Sequence, residues 1–248
     1  RATTDELAIV AELASKTGAE RLRYADTLGI LDPFSTYEQI SALRQHWDGQ
    51  LEIHAHDDLG LATANTLAAI RAGATHANTT VMGLGERAGN APLEEIVLAL
   101  KQCYATETGI NSRALTGLCE QVAKAAGRAI PTQKSLVGEL VFTHESGLHV
   151  DGLLKDRRNY QGVDPALLGR KHHLVLGKHS GRHGVMAVFS QLGYALSEPE
   201  IKWLLVQLRE FVERYKHSPG ENELHQLVRN YRSRSGFTTS QEVVWSGF

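Results

Sequence analysis

The chain has 248 residues, 42% of them hydrophobic, and its 26 basic and 28 acidic residues leave a formal charge of -2. That is enough apolar content for a sizeable core in one domain, or in one domain plus an appendage. The near balance of charge offers no field that favours nucleic acid or an anionic membrane over a small molecule. No apolar run is long enough to span a bilayer. Cys103 and Cys119 match neither a disulfide framework nor a zinc motif, which suits a reducing cytoplasm and reads as two buried thiols. The chain opens at Arg1, without an initiator methionine or signal peptide, and runs directly into a helical pattern (Leu7, Val10, Ala11, Leu13, Ala14). An N-terminal part is therefore expected to precede it.

Up to about residue 140, helical stretches alternate with short apolar strands, the pattern of parallel strands joined by helical crossovers in an α/β fold. DELAIVAELASKTGA reads as a helix closed at Gly18 and leads into the strand RLRYAD. FSTYEQISALRQHW, with Ser35 as N-cap, leads into LEIHAH, and LATANTLAAIRAGA, ending near Gly73, leads into HANTTV. Polar residues gather beyond the carboxyl ends: Asp26 and Thr27, then His54 to Asp58, then Glu86 to Asn90. In parallel α/β folds ligands bind at that edge.

His54 and His56 are two apart on one strand, so both imidazoles project to the same side while Ala55 faces away. Such a pair can share one ion: neutral imidazole nitrogens suit zinc, manganese, iron or nickel, and an incomplete protein ligand set leaves room for a bidentate substrate. The competing reading is chance spacing among 12 histidines, most of which would be packed or surface groups. Asp57 and Asp58 can ligate, orient the histidines, or cap the helix that begins near Leu61, and capping is the reading adopted for Asp58. The next loop, GLGERAGNAPLEE, lacks the endings of a phosphate loop and the spacing of a dinucleotide fingerprint, which excludes a nucleotide site. Its glycines at 83, 85 and 89 permit tight turning. Glu86 and Arg87 read as an ion pair stiffening the loop, and Asn90 as the group nearest a ligand role.

Beyond the alternating pattern, FTHESGLHVDGLLKDRRNYQGVDP gathers His144, Glu145, His149, Asp151 and Tyr160 in a short, glycine-punctuated stretch unlike a core; a solvated linker is the alternative. LGKHSGRHG then precedes the amphipathic VMAVFSQLGYAL. It reads either as a loop before a packing helix or as a site where Lys178, His179 and Arg182 meet phosphate groups. The stretch from Glu198 to Tyr231 reads as helices, and residues 232–248 as a mobile tail.

Five ordered motifs, ADTLGILDP, HAHDDLGLATANTLAAI, GLGERAGNAPLEE, FTHESGLHVDGLLK and LVLGKHSG, resemble the homocitrate synthase and 2-isopropylmalate synthase family from about Ala2 to Lys216, most closely the homocitrate synthases of nitrogen fixation. The resemblance implies the later half of a (β/α)8 TIM barrel over 1–140, then a mainly helical C-terminal extension, with a linker and helical subdomain over 141–231. It implies a transferase that depends on a divalent metal (Mg, Mn or Zn) and condenses acetyl-CoA with a 2-oxo acid. Carried over by residue, His54 and His56 become metal ligands, Asn90 a further ligand or near neighbour, and Thr27 a contact to the substrate carboxylate. His149 and Tyr160 become a catalytic pair that reaches a neighbouring subunit's site, making the enzyme a homodimer.

In the family a further metal ligand, a substrate-binding arginine and a catalytic glutamate lie in earlier strands, so this fragment alone is expected to be inactive. Met82 departs from the family's usual asparagine. The short chain after Tyr160 leaves too little room for the regulatory domain of typical bacterial 2-isopropylmalate synthases, which favours 2-oxoglutarate as acceptor. The alternatives are 2-isopropylmalate or citramalate synthesis, a metal-dependent 3-hydroxyacyl-CoA lyase, or a non-catalytic assembly module. Discovery of an Arg-Asp-Gly type motif in preceding strands would exclude the last.

Overall fold

The computed structural model describes residues 2–234, which form two compact units. The first runs to Val141 and includes Ala166–Gly169; the second comprises Phe142–Pro165 and the chain from Arg170. Among the described residues, no helix is long and apolar enough to cross a membrane.

The first unit begins with α1 (Thr4–Lys16), whose start is fixed by a capping box between Thr3 and Glu6. Gly18, at φ +78°, turns the chain into β1 (Arg21–Asp26). Next come α2 (Pro33–Arg44), β2 (Gln50–Ala55), α3 (Ala62–Arg71), β3 (His76–Asn78), α4 (Leu93–Tyr104) and α5 (Leu115–Ala126). The N-cap of α2 is Asp32 and not Ser35: its carboxylate accepts from the Phe34 and Ser35 N–H groups, and Pro33 occupies the first turn. Ser35 itself donates its hydroxyl to Asp32 at 2.6 Å. A proline there has no N–H to leave unsatisfied, so Asp-Pro is the stronger helix start.

The three strands pair in parallel in the order β1-β2-β3, with Arg23 opposite Glu52, Ala25 opposite His54, and His54 opposite Asn78. Strand alternation gives the sheet two unlike faces. Leu22, Tyr24, Leu51, Ile53, Ala55 and Ala77 pack with Ala11, Ile40, Leu43, Ala62, Ala69 and Ile96 of the helices. Ile53 is fully buried, and its truncation to alanine would cost about 2–5 kcal/mol. The other parity carries Arg21, Arg23, Glu52, His54 and Asn78, with Glu52 paired to Arg23 at 2.8 Å and to Arg21 at 3.3 Å. One helix-covered face and one polar face, in successive parallel βα units, are the architecture of part of a (β/α)8 barrel.

The second unit contains β4 (Thr143–His144), α6 (Gly147–Lys155), β5 (His173–Leu174), α7 (Arg182–Gln191), α8 (Glu198–Tyr215) and α9 (Glu221–Arg234). It is the mainly helical extension. Ile201, Leu204 and Leu208 form the buried stripe of α8 and meet Val185, Val188 and Phe189 of α7 and Leu224 and Val228 of α9. Helix α9 continues through Arg232, Ser233 and Arg234, where a mobile tail was expected, because Arg232 reaches back to Glu200 at 2.9 Å. The rest of that expected tail, 235–248, lies outside the described residues.

Candidate active site

His54 and His56 project together at the carboxyl end of β2, their ring centroids 4.9 Å apart and nearly perpendicular, with Ala55 buried behind them. His54 Nδ1 lies 2.9 Å from the Asn78 side-chain oxygen. An amide oxygen only accepts, so Nδ1 carries the proton and Nε2 keeps its lone pair free for a ligand. Asn78 was not foreseen as a site residue. The only signal for it was its place opposite His54 in the sheet, which follows from strand register and not from sequence spacing.

An antiparallel bridge sets Asn90 beside His56. The Asn90 amide nitrogen donates to the Leu84 carbonyl at 3.1 Å, and its Oδ1 is buried without a hydrogen-bond partner, as is His56 Nδ1. Buried polar atoms ordinarily find partners, so two unpartnered polar atoms beside an oriented imidazole fit a divalent cation, with His56 in the tautomer that leaves Nδ1 unprotonated. Among the described residues no cluster of three or more His, Cys, Asp or Glu side chains that could hold a metal ion is found.

The glycines of the adjoining loop mould Asn90. A Cβ on Gly85 would lie 2.2 Å from Asn90 Nδ2, one on Gly83 2.7 Å from the Asn90 carbonyl, and one on Gly89 2.0 Å from the Gly83 carbonyl. Met82 takes a left-handed conformation at φ 59°, held by its N–H donating to the buried Glu94 at 3.0 Å. Arg87 does not pair with Glu86: its guanidinium grips Asp58 at 2.8 and 2.9 Å and the Thr27 carbonyl at 2.8 Å. Asp58 is therefore no helix cap. Asp57 instead accepts from the Ala62 N–H at 2.8 Å at the start of α3. The Arg87 guanidinium holds the Asp58 carboxyl below its ordinary range. Thr27 is exposed in the turn after β1, where Asp26 accepts from the Ile30 and Leu31 N–H groups, and it lines a cleft of about 600 Å³ with Arg23, Tyr24 and Gln39.

Neither thiol lies in these groupings. Cys103 is exposed, contrary to the expectation of two buried thiols, because it lies in the last turn of α4, where Gln102, Cys103 and Tyr104 all run out past the core. Cys119 is buried, and burial together with the Glu94 carboxylate pushes its thiol up to about 12.

In the second unit, His149 on α6 stacks on Tyr160 with ring centroids 4.3 Å apart and planes 29° apart. The structure thus brings together the two residues that the motifs pair. His144 and Glu145 flank them in structural roles. Glu145 accepts from the His179 N–H at 2.9 Å, and the Gly147 N–H donates to the His179 carbonyl at 3.0 Å, knitting FTHESGLH to LGKHSG. A Cβ on Gly177 would strike the Glu145 carboxylate at 2.5 Å. Lys178 pairs with Glu213 and Arg182 with Glu198, so an incoming phosphate would have to displace carboxylates from both cations.

The geometry defines a polar, histidine-bearing carboxyl edge of a parallel α/β sheet and, in a separate unit, a histidine–tyrosine pair. Comparison with known proteins gives both a family. Residues 1–122 match the HMGL-like family, and residues 136–216 match the family described as homocitrate synthase post-HMGL domain-like. The chain is 45% identical over 220 residues to 2-isopropylmalate synthase 2 of Caldanaerobacter subterraneus subsp. tengcongensis, covering 89% of this chain and 57% of that protein. It is 44% identical over 232 residues to homocitrate synthase 1 of Nostoc sp., covering 94% and 62% of the two. A homocitrate synthase of Frankia sp. is 42% identical over 244 residues, covering 96% and 60%. The chain belongs to the homocitrate synthase and 2-isopropylmalate synthase family. It spans about three fifths of the length of these curated relatives.

Proposed function

We propose that the protein of which this chain forms part condenses acetyl-CoA with a 2-oxo acid, 2-oxoglutarate in the first instance, in a Claisen condensation whose thioester product is hydrolysed by water to homocitrate and free CoA. The observation that carries the reading is the pair of buried, unpartnered polar atoms, His56 Nδ1 and Asn90 Oδ1, beside a His54 whose free nitrogen is fixed by Asn78. His54, His56 and Asn90 are assigned as the residues that hold a divalent metal, within a barrel domain over 1–140. When bound, such an ion polarises the keto carbonyl of the 2-oxo acid and offsets the charge that develops on its oxygen.

The chain's own groups do the rest. Thr27 contacts the substrate carboxylate, and the Arg87 clamp on Asp58 and on the Thr27 carbonyl fixes the turn that carries it. His149 moves the proton of the acetyl methyl, with Tyr160 stacked against it to fix its ring. These two belong to a linker and helical subdomain over 141–231 and serve the barrel of a neighbouring subunit in a homodimer. The free cysteines suit the cytoplasm.

Likeness to the homocitrate synthases of Nostoc sp. and Frankia sp. supports 2-oxoglutarate. The 45% identity to a 2-isopropylmalate synthase supports a second reading, with 2-oxoisovalerate as acceptor. A thiol-release assay on the full-length protein, supplied in turn with 2-oxoglutarate, 2-oxoisovalerate and pyruvate, ranks them. Fastest release with 2-oxoglutarate is expected. Preference for another acid replaces the acceptor, and release with none of them removes the condensation reading.

A further inference from the structure

The second unit holds a hydrogen-bonded relay that the condensation chemistry does not use. His144 lies on β4 and His172 immediately precedes β5, and their backbones are fixed by the His173 N–H donating to the Phe142 carbonyl at 2.9 Å and the Val175 N–H to the His144 carbonyl at 3.1 Å. His144 Nε2 lies 3.0 Å from His172 Nδ1, and His172 Nε2 lies 2.9 Å from the side-chain oxygen of Gln161. An amide oxygen accepts only, so His172 Nε2 carries a proton. Its Nδ1 in the neutral ring is then an acceptor, and His144 Nε2–H is the donor. One neutral arrangement thus satisfies both of these bonds. Burial, with His172 and His149 nearby, holds the His144 imidazolium form below its ordinary range, which favours that arrangement.

The relay ends at the residue next to Tyr160. Tyr160 lies over Gly152 of α6, where a Cβ would come within 2.4 Å of its ring, and the Asn159 amide donates to the Gly152 carbonyl at 3.2 Å. One side of the Tyr160 segment is thus tied to α6 through Asn159, and the other to the two-stranded sheet through Gln161. We propose that the His144–His172 dyad, acting through Gln161, is a positioning device that holds Tyr160 stacked on His149. Its effect on turnover rests on the condensation reading above; its effect on the stack does not.

The test uses the full-length protein with histidine labelled at the ring carbon. The Tyr160 ring shifts the His149 resonance by its ring current, and Tyr160→Leu identifies that shift by abolishing it. In His172→Leu the shift is expected to collapse, with kcat for CoA release falling by up to ~10²-fold and the KM for the 2-oxo acid unchanged. His172→Gln, whose amide can accept from His144 and donate to Gln161, is expected to restore both. Gln161→Leu, which leaves the dyad itself intact, is expected to reproduce His172→Leu and serves if that variant does not fold. An undiminished shift in His172→Leu or Gln161→Leu overturns the proposal, as does failure of His172→Gln to restore it. A collapsed shift with unchanged kcat supports the positioning and instead counts against a catalytic role for Tyr160.

Discussion

His149 and Tyr160 stack at 4.3 Å, and a Cβ added at Gly152 of α6 would strike the tyrosine ring. Alanine for a mid-helix glycine ordinarily stabilises by roughly 0.5–1 kcal/mol. Gly152→Ala should do the reverse, lowering the melting temperature and CoA release together, because the new methyl displaces Tyr160. His149→Ala should cut kcat by ~10²–10⁴-fold while metal affinity stays near normal. A Gly152→Ala protein that is more stable and fully active would contradict the packing.

Metal binding should depend on His54 and His56 jointly, so replacing both with alanine should abolish the heat of Mn²⁺ or Zn²⁺ binding in calorimetry. Asn78→Leu should weaken it by ~10–100-fold without removing a ligand, since it frees the His54 ring to rotate. Equal affinity before and after the double replacement would remove the site.

The proposed homodimer can be tested by mixing His149→Ala with His54→Ala under conditions of subunit exchange. Each parent should be nearly inactive. The mixture should recover part of the activity, because one site in each mixed dimer receives an intact barrel and an intact His149. No recovery, with exchange independently confirmed, would mean that His149 serves its own chain.

Alkylation should distinguish the two thiols. At pH 8 iodoacetamide should modify the exposed Cys103 and spare Cys119, whose thiol is pushed up to about 12, until denaturant exposes it. Mass spectrometry reads the two peptides separately, and equal labelling in the native protein would place Cys119 at the surface.

The pairing of Glu200 with Arg232 sets a pH dependence for the second unit. Burial alone would raise the Glu200 carboxyl, but the Ser197 N–H and the Arg232 guanidinium outweigh it and leave it below its ordinary 4.5. A carboxyl whose folded value is depressed stabilises fully above the unfolded value and progressively less as pH falls through the folded one. Arg232→Met should therefore lower stability by about 1 kcal/mol at neutral pH and flatten the loss below pH 4.5. An unchanged acid unfolding curve would show that the pair contributes nothing.

The sequence was most legible where structure is periodic and local. Strand alternation placed His54 and His56 on one side, and glycines at 18 and 73 marked helix ends, because both depend on neighbours within a few residues. Partners distant in sequence were not legible. Asp58 pairs with Arg87 across 29 residues and His54 with Asn78 across 24, distances that only the folded register closes. The Asp32 cap was local and readable from Asp-Pro, yet a serine three residues on drew the assignment away from it.

The closeness of Gly83, Gly85 and Gly89 to Asn90 and to one another changes what a saturation mutagenesis map of this protein would look like. Positions that touch no ion and donate nothing to chemistry would show the intolerance usually taken as the signature of ligands, since an added methyl strikes the Asn90 amide at Gly85, the Asn90 carbonyl at Gly83 and the Gly83 carbonyl at Gly89. Gly60, whose added Cβ would meet nothing within 4 Å, would serve as the control for Gly83 and Gly89: it shares their positive φ (+70°), so its losses report backbone strain alone, whereas Gly85 has no such strain to subtract. The excess intolerance at 83 and 89 over that at 60, with the whole of it at 85, would measure how closely the loop is cast around one side chain.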